Sequence, residues 1–72
     1  MMVYSVGDTV VVNMNGTYKV GVVSSKSKFK KGWVYSLKME DGKSIERASV
    51  NKDLSSFIIN RTLTKQFTNG NG

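Results

Sequence analysis

Six residues with chemistry of their own lie close together in a polar stretch of the chain, residues 24–33. They are four lysines and two aromatic residues: Lys26, Lys28, Phe29, Lys30, Lys31 and Trp33. Lysine ammonium groups neutralise phosphates and release their counterions, and interleaved aromatic rings can stack on unpaired bases. This combination predicts a surface that binds nucleic acid. The alternative is a solvated loop, with Phe29 tucked over one end of the domain and Trp33 packed beside it.

The charge of the chain is distributed unevenly. It has 11 Lys and Arg residues against 5 Asp and Glu residues, a net charge of +6. No acid lies between Thr9 and Met39, whereas several lysines do. One half of the molecule therefore carries the imbalance, which favours a polyanionic partner. Tyr18, Lys19 and Arg61 would extend the contact surface if the fold brings them to the same side.

Catalytic and metal-binding chemistry has little support. The chain has no His and no Cys, so it lacks the commonest general base and the commonest metal ligands. Residues 25–28 match the S-x-x-K motif, but that motif needs its lysine desolvated on a helix, whereas here it lies among like charges. Glu40 and Asp41 are neighbours in a turn and not a pair facing a cleft. We therefore expect no enzymatic activity, no cofactor and no metal site.

Apolar residues alternate with polar ones along most of the chain, which indicates strands. Five are predicted, over residues 9–14, 18–23, 33–40 and 43–48 and from residue 57 onward. Asn15-Gly16 and Asp41-Gly42 predict tight hairpin turns. Gly21 suggests a bulge or a sharp bend inside the second strand. Residues 24–32 are predicted to form a polar, basic loop.

The third predicted strand has the clearest pattern. Trp33, Tyr35, Leu37 and Met39 share one face, which we expect to face the core.

The last third of the chain is expected to close the domain. Residues 51–55 predict one turn of 3₁₀ helix, with Leu54 plugging a barrel end. From residue 62 to 67 the alternation continues, which predicts either an extension of the fifth strand or a short sixth one. A flexible tail is expected over 68–72. The prediction is therefore one all-β domain of residues 1–67.

Several short motifs resemble those of a known class of barrel. Residues 7–12, G-D-T-V-V-V, resemble the G-D-x-V-x-V opening of Tudor, KOW and related SH3-like barrels. Residues 17–22 are similar to the Tudor second strand, W-Y-x-A-x-V, and residues 37–42 to its V-x-F-x-D-G turn. Leu54 matches the leucine in the turn before the last strand. The resemblance spans about residues 5–60 and implies a small five-stranded SH3-like (Tudor-type) barrel.

The resemblance does not extend to the aromatic cage with which Tudor domains grip methylated side chains. Its positions fall at Met14, Thr17 and Met39, and only Tyr18 keeps an aromatic ring. KOW modules of transcription factors and ribosomal proteins share the glycine-aspartate start and a later Gly-x-Val, here residues 21–23. That likeness implies docking on RNA polymerase, ribosomal RNA or DNA.

We therefore expect a non-enzymatic binding module that associates with RNA, DNA or a polymerase or ribosome complex through its basic loop. The alternative is a protein-interaction or structural accessory protein of phage or mobile-element type, with a host protein as partner. A Trp33-centred apolar patch would favour that alternative, and a continuous basic stripe would favour nucleic acid. With no secretory leader and no membrane-length apolar run, we expect a cytoplasmic monomer or weak dimer without a membrane partner.

Overall fold

The computed structural model describes residues 3–70, with side chains through residue 68. Its elements are β1 (Thr9–Met14), β2 (Thr17–Phe29), β3 (Gly32–Met39), β4 (Ser44–Ala48), β5 (Ile58–Ile59) and α1 (Arg61–Gly70). Neighbouring strands run antiparallel in one sheet, in the order β4-β3-β2-β1-β5. The sheet curls into a half-barrel, and a parallel bridge from Ser49 to Ile58 ties β5 to the chain that follows β4. The predicted five-stranded β architecture is confirmed, and the helix is an addition to it.

Both predicted hairpin turns are confirmed. Asn15 and Gly16 have φ angles of 59° and 90°, the pair of positive values that a two-residue type I′ turn requires. In the turn from β3 to β4, Gly42 has a φ of 87° and donates its N–H to the carbonyl of Met39 over 3.0 Å. Each glycine supplies a backbone conformation that residues with a Cβ rarely adopt.

The core lies on the concave face of the curled sheet. Tyr35, Leu37 and Met39 of β3 are buried there, as predicted, and Trp33 packs against them while remaining partly exposed. The inward-facing valines of β1 and β2 and Ile59 of β5 complete this layer. Burial of these apolar side chains is the main stabilising contribution, because a chain without cysteines has no disulfide to help it.

The predicted polar loop over residues 24–32 is wrong. β2 continues to Phe29 and β3 begins at Gly32, so only Lys30 and Lys31 form the turn between them. The segment is strand because its backbone pairs with β3 across the two-residue turn, a pairing that its serines and lysines do not reveal. The bulge falls at Ser24 and not at Gly21: Val23 pairs with Leu37, whereas Ser25 pairs with Ser36.

Gly21 has a different role from the predicted bulge. A Cβ atom there would lie 2.7 Å from the sulfur of Met39, so glycine lets that core side chain approach the strand.

Residues 51–55 form a single turn closed by the i to i+3 hydrogen bond of the predicted 3₁₀ turn, which does not continue into a helix. The N–H of Leu54 donates to the carbonyl of Asn51 over 3.0 Å, and the chain then continues towards β5. Leu54 does pack over an end of the sheet, as expected, because its Cδ1 lies 2.7 Å from where a Cβ of Gly32 would stand. Glycine at position 32 therefore admits the leucine.

The predicted strand extension over residues 62–67 is also wrong, since this segment belongs to α1. Asn60 caps the helix: its Oδ1 accepts the N–H of Leu63 over 2.8 Å, and its carbonyl accepts the N–H of Thr64 over 2.9 Å. The helix includes residues 68–70, where a flexible tail was expected, and residues 71–72 of that tail lie outside the described residues. Among the described residues, no helix has the length and apolar character needed to cross a membrane.

The helix packs on β1 and satisfies that strand's backbone where β5 has already ended. The N–H of Val11 donates to Oγ1 of the buried Thr64 over 2.8 Å, and the carbonyl of Val11 accepts the N–H of Asn60 over 2.8 Å. A strand edge whose N–H and C=O groups have no hydrogen-bond partners is a template for pairing with other chains. The helix thus protects β1 in the place where a sixth strand was predicted.

Tyr4 and Tyr35 make an edge-to-face pair at the entrance to the core, with ring centroids 5.6 Å apart. The backbone N–H of Tyr4 donates to the hydroxyl of Tyr35 over 3.1 Å. The hydroxyl of Tyr4 is itself buried and has no hydrogen-bond partner of good geometry among the described residues, although Thr64 lies beside it. Burial raises the pKa of Tyr4, and the nearby Thr64 hydroxyl and Arg61 charge oppose this only in part.

Replacing Thr64 with Val should lower the free energy of unfolding by about 1–3 kcal/mol, because the buried N–H of Val11 then loses its acceptor. Thr68→Val is the matched control, since that hydroxyl only donates to carbonyls of its own helix. The control should change stability by less than about 0.5 kcal/mol. Urea unfolding followed by circular dichroism measures both, and equal losses in the two variants would contradict the role given to Thr64.

Replacing Tyr4 with Phe should stabilise the protein by about 1 kcal/mol, because it removes a buried hydroxyl that makes no hydrogen bond of good geometry within the described part of the chain. Tyr35→Phe should instead destabilise it, since the N–H of Tyr4 loses its acceptor. The raised pKa of Tyr4 means that the folded state favours the neutral phenol. Wild-type stability should therefore decline as pH rises above about 10, and Tyr4→Phe should decline less. Urea titrations at several alkaline pH values test this, and identical profiles would refute it.

Candidate nucleic-acid interface

The six main candidate residues lie on one hairpin, which we call the basic hairpin (residues 25–36). Its arms are the last part of β2 and the first part of β3, paired from Ser25 opposite Ser36 to Phe29 opposite Gly32. β1 pairs with β2 only as far as Val22, so no strand of the described chain borders the β2 arm of this hairpin. The residues from 24 to 31 are accordingly exposed.

The inner face of the basic hairpin, which continues the core face of the sheet, carries Lys26, Lys28 and Trp33. Lys28 lies directly opposite Trp33 and Lys26 directly opposite Tyr35, and opposite residues of an antiparallel pair share a face. The ammonium nitrogen of Lys26 stands 5.4 Å from the centre of the Trp33 ring. The structure thus brings together two lysines and the tryptophan, which is partly exposed and has Lys26 over its ring.

The outer face of the basic hairpin carries the other aromatic residue. Phe29 lies opposite Gly32, and its ring is contacted by two cations: Lys30 Nζ at 5.4 Å and Arg47 Cζ at 5.5 Å from the ring centre. Lys30 therefore lies on the outer side and does not extend the row of Lys26 and Lys28. The predicted set of six residues is divided between two faces, with Lys31 exposed at the turn.

The division between faces is set by two bulges that both lie opposite Ser36. In β2 the extra residue is Ser24, whose hydroxyl donates to the carbonyl of Ser36 over 3.1 Å. In β4 two residues, Glu46 and Arg47, lie between the partners of Tyr35 and Leu37 and so oppose Ser36 together. A bulge reverses the faces on which the following side chains lie.

Arg47 is a site residue that the sequence reasoning missed. In a regular fourth strand Arg47 would share the face of Ile45, which packs against the core. A charged residue in that register position is a signal of a bulge, because an unpaired guanidinium is costly to bury. The bulge turns Arg47 outward, towards Phe29.

The three secondary candidates do not join the hairpin. Lys19 precedes Lys28 by nine residues of the same strand, about 30 Å at the rise of an extended chain. Tyr18 lies beside Lys19 at that far end, in a cavity it shares with Glu40 and Asp41. Arg61 begins the helix and lines a separate groove of about 410 Å³.

Two of the site residues hold an unusual backbone conformation. Lys30 has a φ of 56° and Arg47 a φ of 64°, both in the left-handed region that costs a residue with a Cβ about 1–2 kcal/mol. Glycine or asparagine is the usual choice at such positions, as Asn15 with a φ of 59° illustrates. The surrounding pairing, and not the residue type, therefore imposes these conformations.

Replacing Lys30 with Gly should raise the free energy of unfolding by about 0.5–1 kcal/mol, because glycine adopts this positive φ without strain. Asn15→Gly is the matched control at the other two-residue turn, where asparagine already tolerates the conformation, and should have a smaller effect. Thermal and urea unfolding measure both variants. A loss of stability in Lys30→Gly would show that the turn is not strained.

No match was found when the chain was compared with models of known protein families, with curated proteins or with solved structures. The Tudor- or KOW-type assignment therefore stays a prediction that rests on short motifs, and the function has to be inferred from the geometry of the hairpin.

Proposed function

We propose that this chain is a non-enzymatic binding module that associates with nucleic acid through its basic hairpin. The partner is RNA, DNA or a protein complex already bound to one of them. We further propose that the half-barrel is a member of the SH3-like class, in its Tudor or KOW form, as the motifs in residues 7–12 and 37–42 suggest.

The observation that carries the proposal is the arrangement of Lys26, Lys28 and Trp33 on one face. Lys26 and Lys28 are two residues apart on one strand, so their Cα atoms are about 7 Å apart and both side chains leave the same face. There they can neutralise the phosphates of a bound strand. The indole between them offers a flat surface on which a base can stack. Phosphate neutralisation and base stacking are the two interactions by which proteins hold nucleic acid without reading its sequence.

The surroundings of Trp33 favour nucleic acid over a protein partner. A protein-binding surface around this residue would be apolar, whereas here Lys26 stands over the ring and Lys28 lies opposite it. The two lysines of the turn, Lys30 and Lys31, continue the positive charge around the tip.

The alternative, a protein-interaction or structural accessory module, has support from another surface. Tyr18, Val22 and Phe67 are large side chains that are 51 %, 41 % and 40 % exposed. Val22 and Phe67 line one open cavity of about 400 Å³ together with Met39. Exposed apolar residues grouped in this way suit a protein contact. This surface is separate from the basic hairpin, so the two functions are distinguishable by mutation.

Fluorescence anisotropy with labelled single-stranded RNA, single-stranded DNA and duplex DNA tests the proposal over a range of salt concentrations. For a single strand that contacts three or four lysines, the logarithm of the affinity should fall with that of the salt concentration with a slope of about −2 to −3. The double variant Lys26→Ala/Lys28→Ala should weaken binding and reduce the slope by about 1.4. Trp33 is the only tryptophan, so quenching of its fluorescence reports stacking on this face directly.

The matched control is Lys38→Ala/Lys43→Ala, which removes the same charge from the opposite end of β3. It should keep most of the affinity and the full quenching of Trp33. If the wild-type protein binds none of the three nucleic acids at low salt, the proposal is wrong. Equal losses in the two double variants would mean that net charge, and not the hairpin, causes binding.

A further inference from the structure

We propose that Phe29, Lys30 and Arg47 form a second contact site on the outer face of the basic hairpin, and that the ligand is a single strand which passes around the hairpin tip. This inference rests on the proposed function and adds to it both a site and the form of the nucleic acid.

The outer site has the same composition as the inner one, an aromatic ring with cations over it. Phe29 is 37 % exposed, and Leu54 takes the place of a side chain on its cross-strand neighbour, Gly32. Lys30 and Arg47 stand over the ring, at 5.4 Å and 5.5 Å from its centre. A base that displaces either cation from the ring would have both within reach of its flanking phosphates.

The backbone of this site is strained in a way that stability alone does not explain. Of the described residues other than glycine, three have a positive φ: Asn15, Lys30 and Arg47. Asparagine suits that conformation, but lysine and arginine do not. The two strained cations contact the same phenylalanine ring, although they come from different parts of the chain. Strain of this kind is concentrated at functional sites, where the surrounding structure maintains it.

A cavity of about 200 Å³ lies beside the ring and offers polar groups to a bound nucleotide. It is lined by hydroxyl-bearing residues of both hairpin arms, Ser25, Ser27 and Ser36, and by Arg47. Glu46 also lines it and would repel a phosphate, so the phosphate is expected on the Lys30 side of the ring. Removal of the Glu46 charge should therefore strengthen binding.

The positions of the two rings favour a single strand over a duplex. Trp33 and Phe29 lie on opposite faces of a two-stranded ribbon, so one ligand can stack on both only if it bends sharply around the tip. Duplex DNA has a persistence length of about 150 base pairs, so it does not bend sharply around a hairpin tip. Its bases are also already paired and stacked. A single strand is flexible and has free bases, and it can give one base to each ring.

The experiment uses the full chain and labelled oligothymidine and oligouridine of about 12 nucleotides, with a mixed-sequence DNA duplex of the same length. Phe29→Leu removes the ring from an exposed position, and Arg47→Asn removes the cation while keeping a residue that tolerates a positive φ. Each should weaken single-strand binding about ten-fold. Glu46→Gln should strengthen it, and Lys38→Ala/Lys43→Ala again serves as the control. Circular dichroism checks that every variant is folded.

The inner and outer sites are separable in the results. If Lys26→Ala/Lys28→Ala weakens single-strand binding but Phe29→Leu and Arg47→Asn do not, the second site is wrong and the proposed function stands. If the duplex binds as tightly as the single strands and loses as much affinity with Phe29→Leu, the single-strand form is wrong. If the wild-type protein binds no oligonucleotide, the proposed function itself is wrong.

Discussion

The register between β2 and β3 determines which side chains lie on each face of the basic hairpin. A single extra residue, Ser24, separates the part of β2 that lines the core from the part that forms the basic hairpin. Side chains alternate between faces with a period of two, so one inserted residue exchanges the faces of all that follow. With Ser24 inserted, Lys26 and Lys28 lie on the same face as Trp33. Without it, Phe29 would stand on the inner face and the lysines on the outer one.

The second bulge, in β4, has a complementary effect. It opposes the same residue of β3, Ser36, and turns Arg47 away from the core and towards Phe29. The two irregularities therefore act on opposite faces of one hairpin: the first gives Trp33 its lysines, and the second gives Phe29 its arginine. Bulges next to binding sites commonly re-aim a side chain in this manner.

The rest of the fold supports the hairpin by protecting the sheet behind it. α1 occupies the part of β1 that the two-residue strand β5 leaves unpaired, and Thr64 supplies the acceptor that a further strand would have provided. On the other side, Ser49 donates its hydroxyl to the carbonyl of Trp33 over 2.8 Å and also bridges to β5. β3 is thus anchored at its first residues, which holds the Trp33 ring in a defined position. The β2 arm of the basic hairpin has no neighbouring strand on its other edge in the described chain.

Features that depend on neighbouring residues could be predicted before the fold was known. Positive φ angles at Asn15, Gly16 and Gly42 shape the two predicted turns, and the alternation of Tyr35, Leu37 and Met39 specifies a buried face. The six hairpin residues could likewise be selected as a group from their types and spacing. Asn60 was an available but unused signal for the start of the helix, because an asparagine cap resembles an ordinary turn residue until the helix is seen.

Features that depend on pairing between strands, or between strand and helix, emerge only in the folded chain. Residues 24–29 lack the apolar alternation of a strand and are extended because β3 supplies their hydrogen-bond partners. Residues 61–70 form a helix because Thr64 and Asn60 meet the free edge of β1, although Leu63, Lys65 and Phe67 alternate as a strand would. The bulge at Ser24 has no local signal, since a register exists only between two strands, and Arg47 signals the bulge in β4 only once the core face of that strand is assigned. The register between strands therefore determined which charges share a face with which ring.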